Sequence, residues 1–408
     1  MSENESLSLM DARRALFEQL SPITGCENVS LLDALGRVLF SDVFAPFDVP
    51  AHANSAMDGY ALRFDDLPAS GEARLSIVGT VLAGHAFSDE VGIGQAVRIM
   101  TGAVLPEACD TVVAQEDVRV EDSTVLVPAG QTRWQHVRPA GEDLAKGALA
   151  LRAGKRLGPA EIGLLASLGI VEVSVFRRLR VAVFSTGDEI ATPGQPLLPG
   201  QVYDSNRHTL CSLLDRLGAE RLDMGVIPDD PSAIEKVLRE ASAQADAIVT
   251  SGGVSVGDAD HVRALLGKLG DVRFWKVNIK PGKPMAFGRI GKAWLFGLPG
   301  NPVAVMVTFQ QLVMDALLRL MGCASLPPRP GFSVPCITPF SKRHGRREFL
   351  RGVLFDESGQ WKVRLTGNQG SGVLSSMSEA NCFVVLPEGP QHIAAGDRVE
   401  VQPFDVLS

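Results

Sequence analysis

A chain of 408 residues exceeds the size of one ordinary hydrophobic core and predicts several domains. With 45% hydrophobic and 21% charged residues it has too much apolar surface for a disordered protein. The net charge of −8, from 39 basic against 47 acidic side chains, argues against broad nucleic-acid binding. Any anion site must therefore be built locally from clustered lysines, arginines and backbone N–H groups.

The opening segment, MSENESLSLMDARR, carries acids where a secretory signal would carry a basic region and an apolar run, which predicts a cytoplasmic protein. Leu9, Ala12, Leu16 and Leu20 fall on one helical face, and Ser8 with Asp11 resembles a helix-capping pair. From about Asp48 to Pro139, short runs such as Leu75–Val78, Ala96–Ile99 and Thr124–Val127 alternate with glycine turns and predict a small β-rich domain. A second helix is expected from Pro159 to Leu168, stopped by Gly169 and followed by a strand over Val171–Phe176.

From Arg180 to about Gly322 the pattern alternates strand and helix. Expected strands are Val181–Phe184, Leu222–Ile227, Ala247–Thr250, Val272–Ile279 and Trp294–Phe296. Expected helices are Asn206–Leu217, one opened by Asp230-Pro231, one from about Asp258 to Leu269, and Pro302–Met321. This rhythm predicts βαβ crossovers, a mostly parallel doubly wound sheet, and ligand loops at the carboxyl ends of its strands. The uncharged stretch Ala293–Met314 is broken by Leu298-Pro299-Gly300-Asn301-Pro302 and by Gln310-Gln311, so it reads as strand, turn and helix rather than as a membrane span. The tail from Leu326 loses the helical period, and its short strands separated by glycine turns predict a small closed or half-closed β-barrel.

Four loops follow the strands of the α/β region: Ser185-Thr186-Gly187-Asp188-Glu189, the glycine-rich Ser251–Gly257, Lys280-Pro281-Gly282-Lys283-Pro284 and Leu298–Pro302. The glycine loop lacks the GK[ST] ending of a P-loop; it reads either as a phosphate cradle of backbone N–H groups at a helix start or as a plain turn. Lys276, Lys280 and Lys283 lie within eight residues without an intervening acid, and strand alternation puts Lys276 and Lys280 on one face. They fit an anion clamp or lysines guarding an exposed sheet edge. Asp58, Asp143, Glu189, Asp229 and Asp260 sit in turn contexts; if they converge, they can hold Mg²⁺ against substrate phosphates or accept bonds from a heterocycle edge. In the tail, Lys342, Arg343, Arg346, Arg347 and Arg351 face a single acid, Glu348, a charge run that reads as a solvated basic strand. The six scattered cysteines have neither zinc-ligand nor disulfide-framework spacing. No histidine pair stands at metal-ligand spacing, and neither a GxSxG elbow nor a dinucleotide GxGxxG follows a strand.

Together, NSAMDGYA (54–61), RIMTGA (98–103), GED (141–143), FSTGDE (184–189), SGGVSVGDAD (251–260), KPGKP (280–284) and GLPGNP (297–302) resemble the MoeA/gephyrin family, the molybdopterin molybdotransferases. The motifs occur in the family's order across most of the chain. The resemblance implies a multidomain α/β plus β protein with a central doubly wound, mostly parallel molybdopterin-binding domain (177–325), an inserted small β domain (51–139) and a C-terminal β-barrel (326–408). Residues 1–50 and 140–176 would together form an additional α/β domain. The implied activity is a Mg²⁺-dependent transferase of molybdenum cofactor biosynthesis, which inserts molybdate into adenylylated molybdopterin and releases AMP.

The resemblance also implies a homodimer whose site combines one subunit's α/β domain with the other's N-terminal region, and transient contact with the molybdopterin adenylyltransferase. Neither nucleic acid nor membrane is an expected partner. Carried onto this sequence, the catalytic candidates are Asp58, Asp143, Glu189, Lys276 and Lys280. Thr101, Asp229, Gly252, Gly253, Ser255, Asp260, Lys283, Pro299 and Pro302 are candidates for substrate binding, with Arg351 and Ser371 holding the molybdate oxyanion. Glu189 and Asp260 are the implied metal ligands. His261 stands where the family often has an aromatic residue, which affects that contact and not the reaction. Two alternatives remain at this level: the preceding adenylylation of molybdopterin, whose enzyme resembles only the α/β region, and a non-catalytic scaffold or carrier. The N-terminal and tail segments, with NSAMDGYA, favour molybdate insertion.

Overall fold

The computed structural model describes residues 6–252, 260–343 and 345–404, and the chain divides into two compact units. The first contains residues 1–40, 154–158 and 173–408; the second contains 41–153 and 159–172.

In the first unit a seven-stranded sheet runs in the order Ser6–Leu7, Gly270–Val277, Pro284–Ile290, Ala293–Leu298, Ala247–Ser251, Arg180–Thr186, Glu220–Ile227. The last four are mutually parallel, as the strand–helix alternation predicts. The other half departs from that expectation: Pro284–Ile290 is a strand, antiparallel to both Gly270–Val277 and Ala293–Leu298. Both faces of the central strands are covered. In Arg180–Thr186, Val181 and Val183 point into one core with Leu210, Leu214, Phe287 and Phe296, while Ala182 and Phe184 point into a second with Ile234, Leu238 and Leu295. This two-sided burial explains why the strand reads as a continuous apolar run.

The helices start and stop where their end residues dictate. Asp204 accepts the Arg207 N–H and Asp230 the Ala233 N–H, with Pro231 at the first helical position of Pro231–Gln244. Ser205–Leu217 ends at Gly218, whose φ of +88° suits glycine. In Leu9–Gln19, Ser8 Oγ accepts the Asp11 N–H, and Leu9, Ala12 and Leu16 are buried. The expected helix over Pro302–Met321 is interrupted by a π turn at Phe309–Val313. Gln311 in that turn is buried and is tied to Arg13 and Gln402, satisfying an amide that an uninterrupted apolar face would strand.

The tail pairs Ile279–Lys280, Arg347–Glu357, Cys382–Leu386, Arg398–Pro403 and Phe332–Pro335 in that order, and Gln360–Leu365 adds to Arg347–Glu357. An isolated bridge joins Cys336 to Val363. The small core beneath contains Val334, Val363, Val384 and Val401.

The second unit centres on a six-stranded sheet in the order Thr111–Ala114, Gly59–Leu62, Gln95–Ile99, Glu72–Val81, Thr124–Pro128, Arg119–Glu121. Alternation places Ala61, Val97 and Ile99 in one cluster, and Tyr60, Leu62 and Ala96 in another. Val43–Phe44 pairs with Leu149–Leu151, and the helix Pro159–Ser167 belongs to the same unit.

Candidate functional site

The first unit contains a cavity of about 1140 Å³ at the carboxyl ends of its parallel strands. All four strand-end loops contribute to it: Thr186 and Glu189, Gly252, Lys280 to Pro284, and Pro299 to Asn301. Asp229 comes from the end of Glu220–Ile227, and Lys342, Arg346, Glu348, Arg351 and Ser371 come from the tail.

Local geometry explains the residue types. Gly252 has φ of +90°, and a Cβ there would lie 2.5 Å from the Thr186 carbonyl oxygen, so only glycine fits. Gly282 is equally constrained, with φ of +108° and a Cβ position 2.4 Å from Thr308 Oγ1. Thr186 Oγ1 is buried on the cavity wall without a hydrogen-bond partner among the described residues, which suits a ligand-facing hydroxyl. Asn206 braces two of the loops, its amide donating to Ser251 Oγ at 2.9 Å and to the Gly300 carbonyl at 2.6 Å.

The cationic side of the cavity combines Lys280, Lys283, Lys342, Arg346 and Arg351. Arg351 is 1% exposed and has no acidic hydrogen-bond partner among the described residues; Nε donates to Ser376 Oγ at 3.0 Å and Nη2 to the Gly370 carbonyl at 3.0 Å. Burial holds its pKa below the usual arginine value. Lys342 is also buried and donates to the Pro387 carbonyl. Desolvation lowers its pKa, partly opposed by the charge of Glu348. Lys280 Nζ meets Glu348 Oε1 at 2.9 Å. Ser371 lends its carbonyl to the Val303 N–H at 3.1 Å, which fixes its turn against the start of Pro302–Thr308.

Of the sequence candidates, Glu189, Asp229, Gly252, Lys280, Lys283, Pro299, Arg351 and Ser371 line this one cavity. Pro302 opens the adjoining helix. Lys276 is not among the residues that line the cavity. The strand ends at Val277, and Lys280 belongs to the separate short strand Ile279–Lys280, so alternation does not run through both. Gly253 and Ser255 lie outside the described residues, as do the side chains of Asp260 and His261. Asp58, Thr101 and Asp143 belong to the second unit. There, Asp58 Oδ1 accepts both the Thr101 N–H at 2.7 Å and its hydroxyl at 2.8 Å. The Thr101 N–H, then its hydroxyl, hold the Asp58 carboxyl below the usual aspartate range.

Sequence reasoning missed Thr186, Asn206 and Glu348. Thr186 lay inside a strand-end loop and the FSTGDE motif but was not singled out there, Asn206 carried no usable signal, and Glu348 was visible as one acid among five bases.

Residues 7–169 match the MoeA N-terminal region (domains I and II), 182–319 a probable molybdopterin-binding domain, and 333–404 the MoeA C-terminal region (domain IV). A molybdopterin molybdenumtransferase of Haemophilus influenzae is 44% identical over 403 residues, covering 98% of this chain and 99% of that protein. The chain belongs to the MoeA family. Another MoeA relative, the molybdopterin molybdenumtransferase of a Nostoc species, is 36% identical over 97% of this chain and 93% of its own length. Among solved MoeA structures, the molybdopterin biosynthesis moeA protein of Pyrococcus horikoshii OT3 superposes with a TM-score of 0.83 at 28% identity, covering 98% of this chain and 100% of that one. The MoeA architecture is thus multidomain and sheet-rich, and it extends over the whole chain.

Proposed function

We propose that the protein is a transferase of molybdenum cofactor biosynthesis that inserts molybdate into adenylylated molybdopterin and releases AMP. One observation carries the reading: in a chain matching molybdopterin molybdenumtransferases end to end, five cationic side chains and the carboxylates Glu189 and Asp229 line one strand-end cavity. Such a cavity suits a substrate with a phosphoanhydride and an incoming oxyanion.

The residue roles follow from their chemistry. Arg351, with its fixed guanidinium, and the Ser371 hydroxyl are the donors for molybdate. Lys280 and Lys283 offset the negative charge that develops on the phosphate oxygens as AMP departs. The glycine loop brings backbone close to the substrate at Gly252. Among the described residues no three metal-ligating side chains cluster. Glu189 and Asp229 nevertheless fit Mg²⁺ that is shared with substrate phosphates, because that ion takes only one or two protein carboxylates and keeps several waters. Glu189 and Asp229, with Asp260 as the third candidate ligand, would hold it, and it would supply charge neutralisation at the phosphates.

Asp58, Thr101 and Asp143 enter the reaction as the second subunit's contribution in a homodimer. Asp58 is suited to that role because the Thr101 bonds keep it ionised and fix its direction. The reading extends to a cytoplasmic protein with a doubly wound central domain, a barrel-like tail, and transient contact with the adenylyltransferase that supplies its substrate.

The test is single-turnover AMP release from adenylylated molybdopterin with Mg²⁺, with and without molybdate. Molybdate-dependent release that falls at least about tenfold in Lys280→Ala and Asp58→Ala is expected. Binding without AMP release would leave a carrier or scaffold.

A further inference from the structure

The cationic side chains of the cavity suit an anion, but Glu348 does not. A carboxylate beside an oxyanion pocket opposes binding. Yet Glu348 is 7% exposed, lines the cavity together with Lys280, Lys283, Lys342, Arg346 and Arg351, and among the described residues is the only acid that the tail contributes to the lining. Its position is fixed by backbone. Ile279–Lys280 runs parallel to Arg347–Glu348, in a register that pairs Ile279 with Arg347 and Lys280 with Glu348. The Arg347 N–H donates to the Asn278 carbonyl at 3.0 Å, and Arg346 Nη1 donates to the Ile279 carbonyl at 3.0 Å. Lys280 therefore meets Glu348 at 2.9 Å because two chain segments 68 residues apart are locked in register. The lysine side chain remains 57% exposed and Glu348 is nearly covered, so the acid is the fixed partner and the lysine the accessible one.

We propose that Glu348 is a positioning residue for the transfer reaction: it holds the Lys280 ammonium at the cavity wall and competes with the oxyanion for it. An arriving anion takes Lys280 from a preset place instead of collecting a freely moving side chain. That competition weakens anion binding while improving the geometry of the bound lysine during turnover. A merely structural ion pair between the two strands would share the electrostatic effect on affinity but would not change the rate through Lys280.

This inference rests on the proposed molybdate insertion, but one of its readouts does not. Molybdate binding to the full-length protein is measured by equilibrium dialysis, and AMP release is measured separately. Glu348→Gln should bind molybdate about five- to tenfold more tightly, because one opposing charge is gone and Lys280 is released. Its rate of AMP release at saturating molybdate should fall about tenfold. Glu348→Asp keeps the charge but withdraws the carboxylate by one methylene; molybdate affinity should stay within about twofold while AMP release falls. In a Lys280→Gln background, adding Glu348→Gln should slow AMP release no further, as expected for a residue acting through another.

Equal or weaker molybdate binding by Glu348→Gln overturns the inference, and so does an additive loss of rate in the double variant. If Glu348→Gln does not fold, Glu348→Asp decides, and unchanged AMP release there overturns it. Wild-type protein that fails to release AMP refutes the proposed reaction and with it the positioning role, and the dialysis comparison then decides whether Glu348 competes with the anion for Lys280.

Discussion

Arg351 concentrates the residue-scale argument. An arginine that is 1% exposed normally has a carboxylate beside it, because burying an unpaired charge is costly. Here its hydrogen bonds go to a serine hydroxyl and to main-chain carbonyls, so its charge is directed and not neutralised. Such an arginine fits a site where the counter-ion arrives as substrate. Lysine at this position would keep the charge but lose the fork that fixes its direction. Arg351→Lys is therefore expected to raise the molybdate concentration needed for half-maximal AMP release about tenfold, with a smaller effect on the saturated rate. A molybdate titration of both proteins checks this, and an unchanged half-saturation point would remove Arg351 from oxyanion binding.

At the scale of elements, strand entry is governed by Asp246. It sits just before Ala247–Ser251, where its carboxylate accepts both Arg177 Nη1 and Nη2 at 2.7 Å and the Arg180 N–H at 2.9 Å. Its backbone pairs with the Arg180 carbonyl and the Trp294 N–H, so one residue aligns three adjacent strands of the sheet. Burial pushes the Asp246 carboxyl up, but the Arg177 and Arg180 bonds more than reverse this and hold it below the usual aspartate range. A carboxyl depressed in the folded state contributes stability above its unfolded pKa of about 3.9, and that contribution is lost as pH falls through the lower folded value. Asp246→Asn should cost about 2 kcal/mol at neutral pH, with the difference from wild type narrowing below about pH 4. Urea-unfolding midpoints of the two proteins across that range test the sign; a difference independent of pH would mean that the amide's shape and not the lost charge matters.

The same scale shows how far the sequence could be read. Capped helices were legible because Ser8, Asp230-Pro231 and Gly218 act within a few residues of themselves. Pro284–Ile290 was not, because PMAFGRI follows directly on a proline–glycine loop and pairs with strands on both sides only after the chain reverses. The continuous strand assumed for Lys276 and Lys280 was not legible either: the Asn278 N–H bonds to the Leu7 carbonyl, and the strand gives way to a second short one before Lys280. Glu348 could be seen as an odd acid, but its pairing depends on a register between distant segments that no local pattern encodes. The Asp58–Thr101 pair, 43 residues apart, was reachable only through family resemblance.

For the whole molecule, the proposed reaction requires Asp58 and Lys280 in one site. They belong to different compact units of the chain. In the proposed homodimer, one subunit supplies Asp58 and the other Lys280 to each site, and twofold symmetry gives two such sites. This arrangement has a numerical consequence. Mix Asp58→Ala and Lys280→Ala proteins in equal amounts, dissociate them and let them reassociate at random. About half of the dimers are then mixed. In each mixed dimer one site carries both substitutions and the other carries neither, so about one site in four is intact. AMP release should therefore recover to about a quarter of the wild-type rate, from parents that are each nearly inactive. If each site were built within one chain, no pairing could assemble an intact site and recovery would be absent. Recovery near a quarter, appearing only after subunit exchange, would thus establish both the dimer and the sharing of its site.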